Sequence, residues 1–322
     1  MFGACGRSAC GRSFFVPKCG NGNIVYNEAT GAASAPEMSG YREGTASMNF
    51  KTPLEVAKAA CASAKVKSAM PVRQMMVLGI LAGAYISFGG YLNIVVTQDM
   101  AQYMGVGFTK LVGGSVFSIG LMIVVVAGAE LFTGNCMMPL GPLSGCASWR
   151  GVLRNWFWVY IANLLGTLIL AVLVFESGLW RGAVGVNALK IAATKMNLSF
   201  WEAFVRGILC NWIVVLAVWM SMAALDVIGK LFSALFLIMT FVACGFEHSI
   251  ANMFFLEMGI FVSGNEAVVA AAKLDPALLS NVTWGGYLSN IVPVTLGNMV
   301  GGIFFVACFY FLAFRTSLEK PD

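Results

Sequence analysis

Six stretches of this chain contain no Asp, Glu, Lys or Arg, and they decide what it can fold into. They run from Gln74 to Gln98, Leu111 to Ala129, Asn155 to Phe175, Gly207 to Leu225, Leu231 to Phe246 and Pro276 to Phe314. Most reach the roughly 20 residues that a helix needs to cross a hydrocarbon layer about 30 Å thick. No water is available at that depth. Every backbone N–H and C=O must then be satisfied within the span, and a helix does this for an isolated segment. Composition agrees. Of the 322 residues, 59% are hydrophobic and 11% charged, against about 25% charged in soluble chains. The expectation is an all-α membrane protein with six transmembrane helices, whose first partner is the lipid bilayer.

Charge placement gives an orientation. Nine of the 20 Lys and Arg precede the first span. Arg150 and Arg154 lie between spans two and three, Lys230 between four and five, and Arg315 and Lys320 after span six. With six spans these segments share one side, so the N- and C-termini are expected to be cytoplasmic, in the plasma membrane. The opposite side carries fewer cations: Lys110, Arg181, Lys190, Lys195 and Lys273. The net charge of +5 is spread over loops and an N-terminal arm, so no nucleic-acid partner is expected.

Residues 1–52 are rich in Gly, Ser and Ala, repeat CGRS at Cys5–Ser8 and Cys10–Ser13, and lack the apolar core of a secretory signal. They read as a disordered cytoplasmic arm. Residues 53–70 read as an interfacial amphipathic helix. Leu54, Ala57, Cys61, Ala64 and Met70 interleave there with Glu55, Lys58, Lys65 and Lys67. Pro53 suits its first turn and Thr52 its cap. Residues 71–316 form the transmembrane domain and 317–322 a cytoplasmic tail. The nine cysteines show no zinc spacing. They read as small hydrophobes in a reduced interior, with no metal or cofactor expected.

Two halves of the transmembrane domain echo each other. Gly79-Ile80-Leu81 is matched by Gly207-Ile208-Leu209, the Glu-x4-Asn of Glu130 to Asn135 by that of Glu247 to Asn252, and Asn163-x-x-Gly166 by Asn298-x-x-Gly301. An odd number of spans per copy turns the second copy upside down, giving an inverted 3+3 repeat of the kind found in transporters and channels. Spans two and five should be broken. Beyond Ala129 the apolar pattern continues but meets Gly134, Pro139, Gly141, Pro142 and Gly145, and beyond the chain's single histidine, His248, it resumes from Ile250 to Val262. Backbone freed at such depth is tolerated where protein buries it or a cavity is lined. A half-helix N-terminus there attracts anions. An ionisable intramembrane residue such as His248 is functional by default. Glu130 and Glu247 read as buried anchors accepting backbone N–H bonds at the two breaks.

ELFTGN (Glu130–Asn135), GFEHSIANMFF (Gly245–Phe255) and NIVPVTLGNMVGG (Asn290–Gly302) resemble the formate/nitrite transporter family. KLVGGSVFSIGL (Lys110–Leu121) and GILCNWIVVLAVWMS (Gly207–Ser221) do so too. The resemblance implies an aquaporin-like homopentamer of six-helix protomers, each with its own pore for small monovalent anions or their acids: formate, nitrite, acetate, lactate or hydrosulfide. It implies that His248 is the central histidine, Thr133 the loop threonine, Asn211 the pore asparagine and Lys195 the outer-vestibule lysine. Gly134 and Asn135 follow Thr133 in the same loop motif. It also implies hydrophobic constrictions at Phe117, Leu121, Leu131, Phe132, Val214 and Phe241. Arg206 departs from the family, where an apolar residue is usual. It stands four residues after Glu202, where the two would pair on one helix face.

A dry apolar constriction discriminates strongly against charge. Moving a bare carboxylate into it costs tens of kcal/mol in the idealised limit. Protonating a carboxylate of pKa near 3.5 at pH 7 costs only about 5 kcal/mol. The species expected in the narrow segment is therefore the neutral acid, so protons are a second partner. Lys195 would steer anions inward, and His248, with an ordinary pKa near 6.5, would relay a proton. A pore for water, glycerol or ammonia is the alternative, although no Asn-Pro-Ala box is present. An intramembrane enzyme would need His-Glu-x-x-His, Gly-x-Ser-x-Gly or a second haem-ligating histidine, and the chain has none. No catalytic residue is expected.

Overall fold

The computed structural model describes residues 50–318, so most of the N-terminal arm and the last residues of the tail lie outside the described residues. The regular elements within that range are helical. In order they are α1 (Pro53–Ala69), α2 (Val72–Thr97), α3 (Met100–Met104), α4 (Val106–Phe117), α5 (Ile119–Ala127), α6 (Phe132–Asn135), α7 (Leu140–Leu143) and α8 (Trp149–Glu176). There follow α9 (Ala183–Met196), α10 (Phe200–Ala223), α11 (Val227–Cys244), α12 (Ser249–Ser263), α13 (Glu266–Ala272), α14 (Pro276–Leu279) and α15 (Trp284–Gly302). A π-helical turn over Ile303–Cys308 leads into α16 (Phe309–Leu318).

Among the described residues, six helical spans are long and apolar enough to cross a membrane: α2, α4 with α5, α8, α10, α11, and α15 continued through α16. They coincide with the six uncharged runs. The inverted repeat is visible in the packing. In the first copy α2 lies against α8, and in the second α10 lies against α15. Glycines make each approach possible. A Cβ on Gly166 would strike the carbonyl oxygen of Ile80, and a Cβ on Gly301 that of Ile208, so both contacts are backbone to backbone.

Spans two and five are broken at matching points. The αL conformation of Gly128 (φ 78°) ends α5, and that of Gly245 (φ 74°) ends α11, a left-handed cap that suits glycine. Leu131 and His248 then run extended before the chain turns helical again. The continuations differ. After His248 the chain forms the 15 residues of α12. After Leu131, Pro139, Gly141, Pro142 and Gly145 limit it to the two four-residue turns α6 and α7.

Helix α1 begins with a reciprocal cap. Glu55 donates its N–H to Thr52 Oγ1 (3.4 Å), and Thr52 donates its N–H to Glu55 Oε2 (2.6 Å). The backbone N–H and hydroxyl of Thr52 hold the Glu55 carboxyl below the ordinary carboxylate range. Val56, Ala57, Ala60 and Ala64 are buried, on a helix that packs against α7, α8, α10 and α16. Much of the apolar face expected to seek the membrane surface is thus covered by protein. That docking also brings Cys61 beside Cys146, and the two form a disulfide with a Cα–Cα distance of 6.1 Å. The expectation of uniformly reduced cysteines is corrected here. A fold that seats α1 on the loop before α8 makes partners of residues 85 apart in sequence. Cys136 and Cys210 are free and buried.

Candidate pore at the paired breaks

Each break is held by a bracket of buried side chains, and the two brackets correspond atom for atom. In the first copy Asn163 Oδ1 accepts the Phe132 N–H (2.9 Å), while its Nδ2 donates to Gly79 O (2.8 Å) and Glu130 O (2.9 Å). In the second, Asn298 Oδ1 accepts the Ser249 N–H (2.8 Å), while its Nδ2 donates to Gly207 O (2.8 Å) and Glu247 O (2.9 Å). Backbone groups freed by the interruption are thereby satisfied inside the protein. The cost follows too. The Phe132 and Ser249 amides are consumed by asparagine, so they are not open donors for an anion.

The two glutamates hold the next layer. Glu130 Oε1 pairs with Lys67 Nζ (2.8 Å), and its Oε2 accepts from Asn135 Nδ2 (2.8 Å), which also donates to Asn155 Oδ1 (2.8 Å). Glu247 has both oxygens 3.0 Å from Lys195 Nζ. Its Oε2 accepts from Asn252 Nδ2 (2.6 Å), which also donates to Asn290 Oδ1 (2.9 Å). Both carboxylates are about 5% exposed. They are anchors as expected, but lysine and asparagine side chains hold them rather than backbone N–H groups. A short extended linker offers few free amides, whereas a carboxylate this deep requires a cation.

The copies differ at the centre. His248 Nδ1 accepts the Ala251 N–H (3.1 Å), acting as the cap of α12. With its lone pair engaged there, Nδ1 carries no proton. Nε2 is then the protonated nitrogen, 2.9 Å from Thr133 Oγ1 of the other copy. Asn211 Nδ2 donates to Thr133 O (3.1 Å) and to Asn298 O (2.7 Å), and its buried Oδ1 finds no hydrogen-bond partner among the described residues. Two side chains of the second copy therefore converge on one threonine of the first.

Two cavities approach this point from opposite ends. One, of about 480 Å³, is lined by Lys67, Glu130, Leu131, Gly134, Asn135 and Leu121. The other, of about 490 Å³, is lined by Lys195, Glu247, His248, Phe117, Phe241 and Arg206. The Phe117 and Phe241 rings meet edge to face at 5.9 Å, and Phe241 stacks on the His248 imidazole at 5.8 Å. Lys195 Nζ also sits 5.6 Å from the centre of the Phe255 ring. Phe132 lies elsewhere. Its ring packs on Trp156 (6.2 Å) and Tyr160 (4.9 Å) of α8 and lines neither cavity. The short turn α6 points successive side chains in different directions, and that of Phe132 points away. Val214 is buried and lines neither cavity.

The Formate/nitrite transporter family model matches residues 54–312. The chain belongs to the formate/nitrite transporter family. Among relatives of this transporter, the probable formate transporter of Methanothermobacter thermautotrophicus is 45% identical over 285 residues, covering 83% of this chain and 98% of that one. The formate channel FocA of Escherichia coli K12 is 36% identical over 268 residues, covering 81% and 94%. A solved pentameric formate channel with formate bound aligns with a TM-score of 0.68 at 36% identity, over 76% of this chain and 98% of that one. A solved FNT family ion channel aligns at 0.67 and 26% identity, over 81% and 98%.

Sequence reasoning missed one charged member of the site. In this transporter Lys67 reaches into the bundle from α1 to Glu130, though its place in an amphipathic stretch reads as a surface position. The repeat contained the signal, because Lys67 precedes Gly79 by the same number of residues as Lys195 precedes Gly207. Asn155 and Asn290 occupy equivalent places by the same measure and were also passed over.

Proposed function

We propose that the protein is a pore for formate and related small monovalent anions (nitrite, acetate, lactate), which cross the narrow segment as neutral acids, so that net transport is proton-coupled. The observation that carries this reading is a pair of cation-bearing cavities facing each other across an apolar constriction, with the Thr133–His248 hydrogen bond between them. The names of the relatives, formate transporter and formate channel, point to the same cargo.

In this mechanism an anion collects in a cavity and takes up a proton that reaches it from the bulk solution as hydronium. It then passes Phe117 and Phe241 uncharged, because protonation at about 5 kcal/mol costs far less than desolvating the bare ion at tens of kcal/mol. His248, neutral with Nε2–H directed at Thr133, leaves the threonine hydroxyl its own proton to offer the passing oxygen. Leu121 and Leu131 form the apolar wall on the other side. The position of Lys67, Arg154 and Lys230 on the side of α1 supports a cytoplasmic α1 in the plasma membrane. The assembly is a homopentamer, as in the solved relative named a pentameric formate channel.

Uptake of radiolabelled formate, acetate, lactate and nitrite into proteoliposomes tests the reading. Formate uptake should rise when the side of addition is made acidic, and His248→Asn, which removes the Nε2–H held on Thr133, should lower formate uptake while leaving that pH dependence in place. Formate flux in the wild type that ignores an imposed pH gradient would falsify the neutral-acid route.

A further inference from the structure

An inverted repeat separates scaffold from function. Polar residues that both copies carry at matching places build the breaks. Polar residues that one copy alone carries are not required to build them. His248 stands opposite Leu131, Thr133 opposite Ile250 and Asn211 opposite Gly83, and all three meet at the centre. Arg206 passes this filter too. Arg206 stands opposite Leu78. Their backbones do the same work, since Leu78 O accepts the Glu130 N–H and Arg206 O accepts the Glu247 N–H, each at 3.2 Å. Only the side chains differ, and the break forms with either.

Arg206 lines the 490 Å³ cavity with Lys195, Glu247 and His248. Its ion pair, to Glu202 Oε1, spans 3.9 Å with both side chains substantially exposed. The other oxygen of Glu202 already accepts from Ser199 N (3.0 Å) and Ser199 Oγ (2.7 Å), closing the cap of α10. A pair so long and so wet holds a guanidinium weakly. Lys195 is different, because its charge is spent on both oxygens of Glu247. Lys110 and Lys190 line the same cavity and add to its positive field without a planar donor pair.

We propose that Arg206 is the anion-capturing residue of this cavity, its guanidinium fork taking the two oxygens of a small carboxylate or of nitrite before the constriction. This deepens the proposed function and rests on it. Two parallel N–H donors match two oxygens on one carbon or nitrogen, and a spherical halide uses that geometry poorly. Capture and release follow from one protonation. The fork holds the charged form, and once the carboxylate oxygen gains a proton supplied by the bulk solution as hydronium, the ionic partner is gone and the neutral acid moves on to Phe117 and Phe241.

The test compares wild type, Arg206→Leu and Arg206→Lys, the leucine variant restoring what the other copy carries. In proteoliposomes at low ionic strength, Arg206→Leu should raise the half-saturating formate concentration about three- to tenfold, the worth of one partly exposed charge-assisted pair. That rise should exceed any fall in maximal rate and shrink at high salt. Arg206→Lys should recover part of the affinity and lose preference for formate over chloride. A merely structural arginine would lower maximal rate and leave half-saturation, salt dependence and selectivity alone, and that pattern overturns the proposal. A second measurement does not need transport: the rise in melting temperature of detergent-solubilised protein as formate replaces chloride at constant ionic strength. Arg206→Leu should blunt it, and an equal rise in both proteins also overturns the proposal. Absent formate uptake by the wild type would sink the proposed function, while the melting comparison would still decide the role of Arg206.

Discussion

The two breaks are built alike and finished differently. Each has a left-handed glycine, a buried asparagine spanning the gap, a glutamate anchored by lysine, and a second asparagine pair beneath. Yet one continues into α12 and places His248 at its head, while the other dissolves into two short turns headed by Leu131. The lesson is a division of labour. Interrupting a helix inside a membrane is a problem of unsatisfied backbone groups, with one good solution that both copies use. Holding the Thr133 hydroxyl needs a ring nitrogen at one place only, and there the copies part.

The largest expected effect bears on the shared part. Asn163→Leu and Asn298→Leu each strip partners from three buried backbone groups, at about 1–3 kcal/mol apiece. Each variant should lose most of its folded yield, read as the monodisperse peak in size-exclusion chromatography. A large loss in one copy and none in the other would break the equivalence. The lysines come next. Lys67→Met and Lys195→Met leave Glu130 or Glu247 without a cation, and their side chains are 25% and 16% exposed. Solvent screening therefore brings the loss below that of a fully buried pair, to on the order of 1–3 kcal/mol. Adding Glu130→Gln or Glu247→Gln should recover much of it, and a thermal melt that shows no recovery would sharpen the comparison against symmetric anchoring. The smallest effect concerns α1, which reaches the first break from outside the bundle. The Glu55 carboxyl is held below its ordinary range by Thr52, so its cap is complete above the unfolded pKa and is lost as pH falls through the lower folded value. Amide exchange in the first turn of α1 should quicken only in that acidic window. Exchange that stays flat through it would mean that the cap does not hold the turn.

The spans were legible because charge is excluded from hydrocarbon, and no residue inside the six runs contradicts that. The breaks were legible because two Glu-x4-Asn motifs interrupt the apolar pattern, and because proline and glycine crowd the stretch after Asn135. The bracketing asparagines were visible as landmarks, but their bonds were not. An asparagine in a span reads equally as glue between helices or as lining. Lys67 was hidden by its helix, whose alternation of charge and alanine looks the same whether it faces lipid or protein. Phe132 was misplaced because the direction of a side chain on a four-residue turn is set by tertiary contacts, here Trp156 and Tyr160. The Cys61–Cys146 bond belongs to the same class of information, since proximity across a docked helix leaves no pattern in the sequence.

The hydrogen bonds of each bracket stay within one copy, whereas His248 and Asn211 reach across to Thr133 of the other. Biogenesis inherits that arrangement. As the chain is threaded into the bilayer, the first three spans can settle their own discontinuity while the last three are still being synthesised. The centre where His248 and Asn211 meet Thr133 has no existence until the halves close on each other.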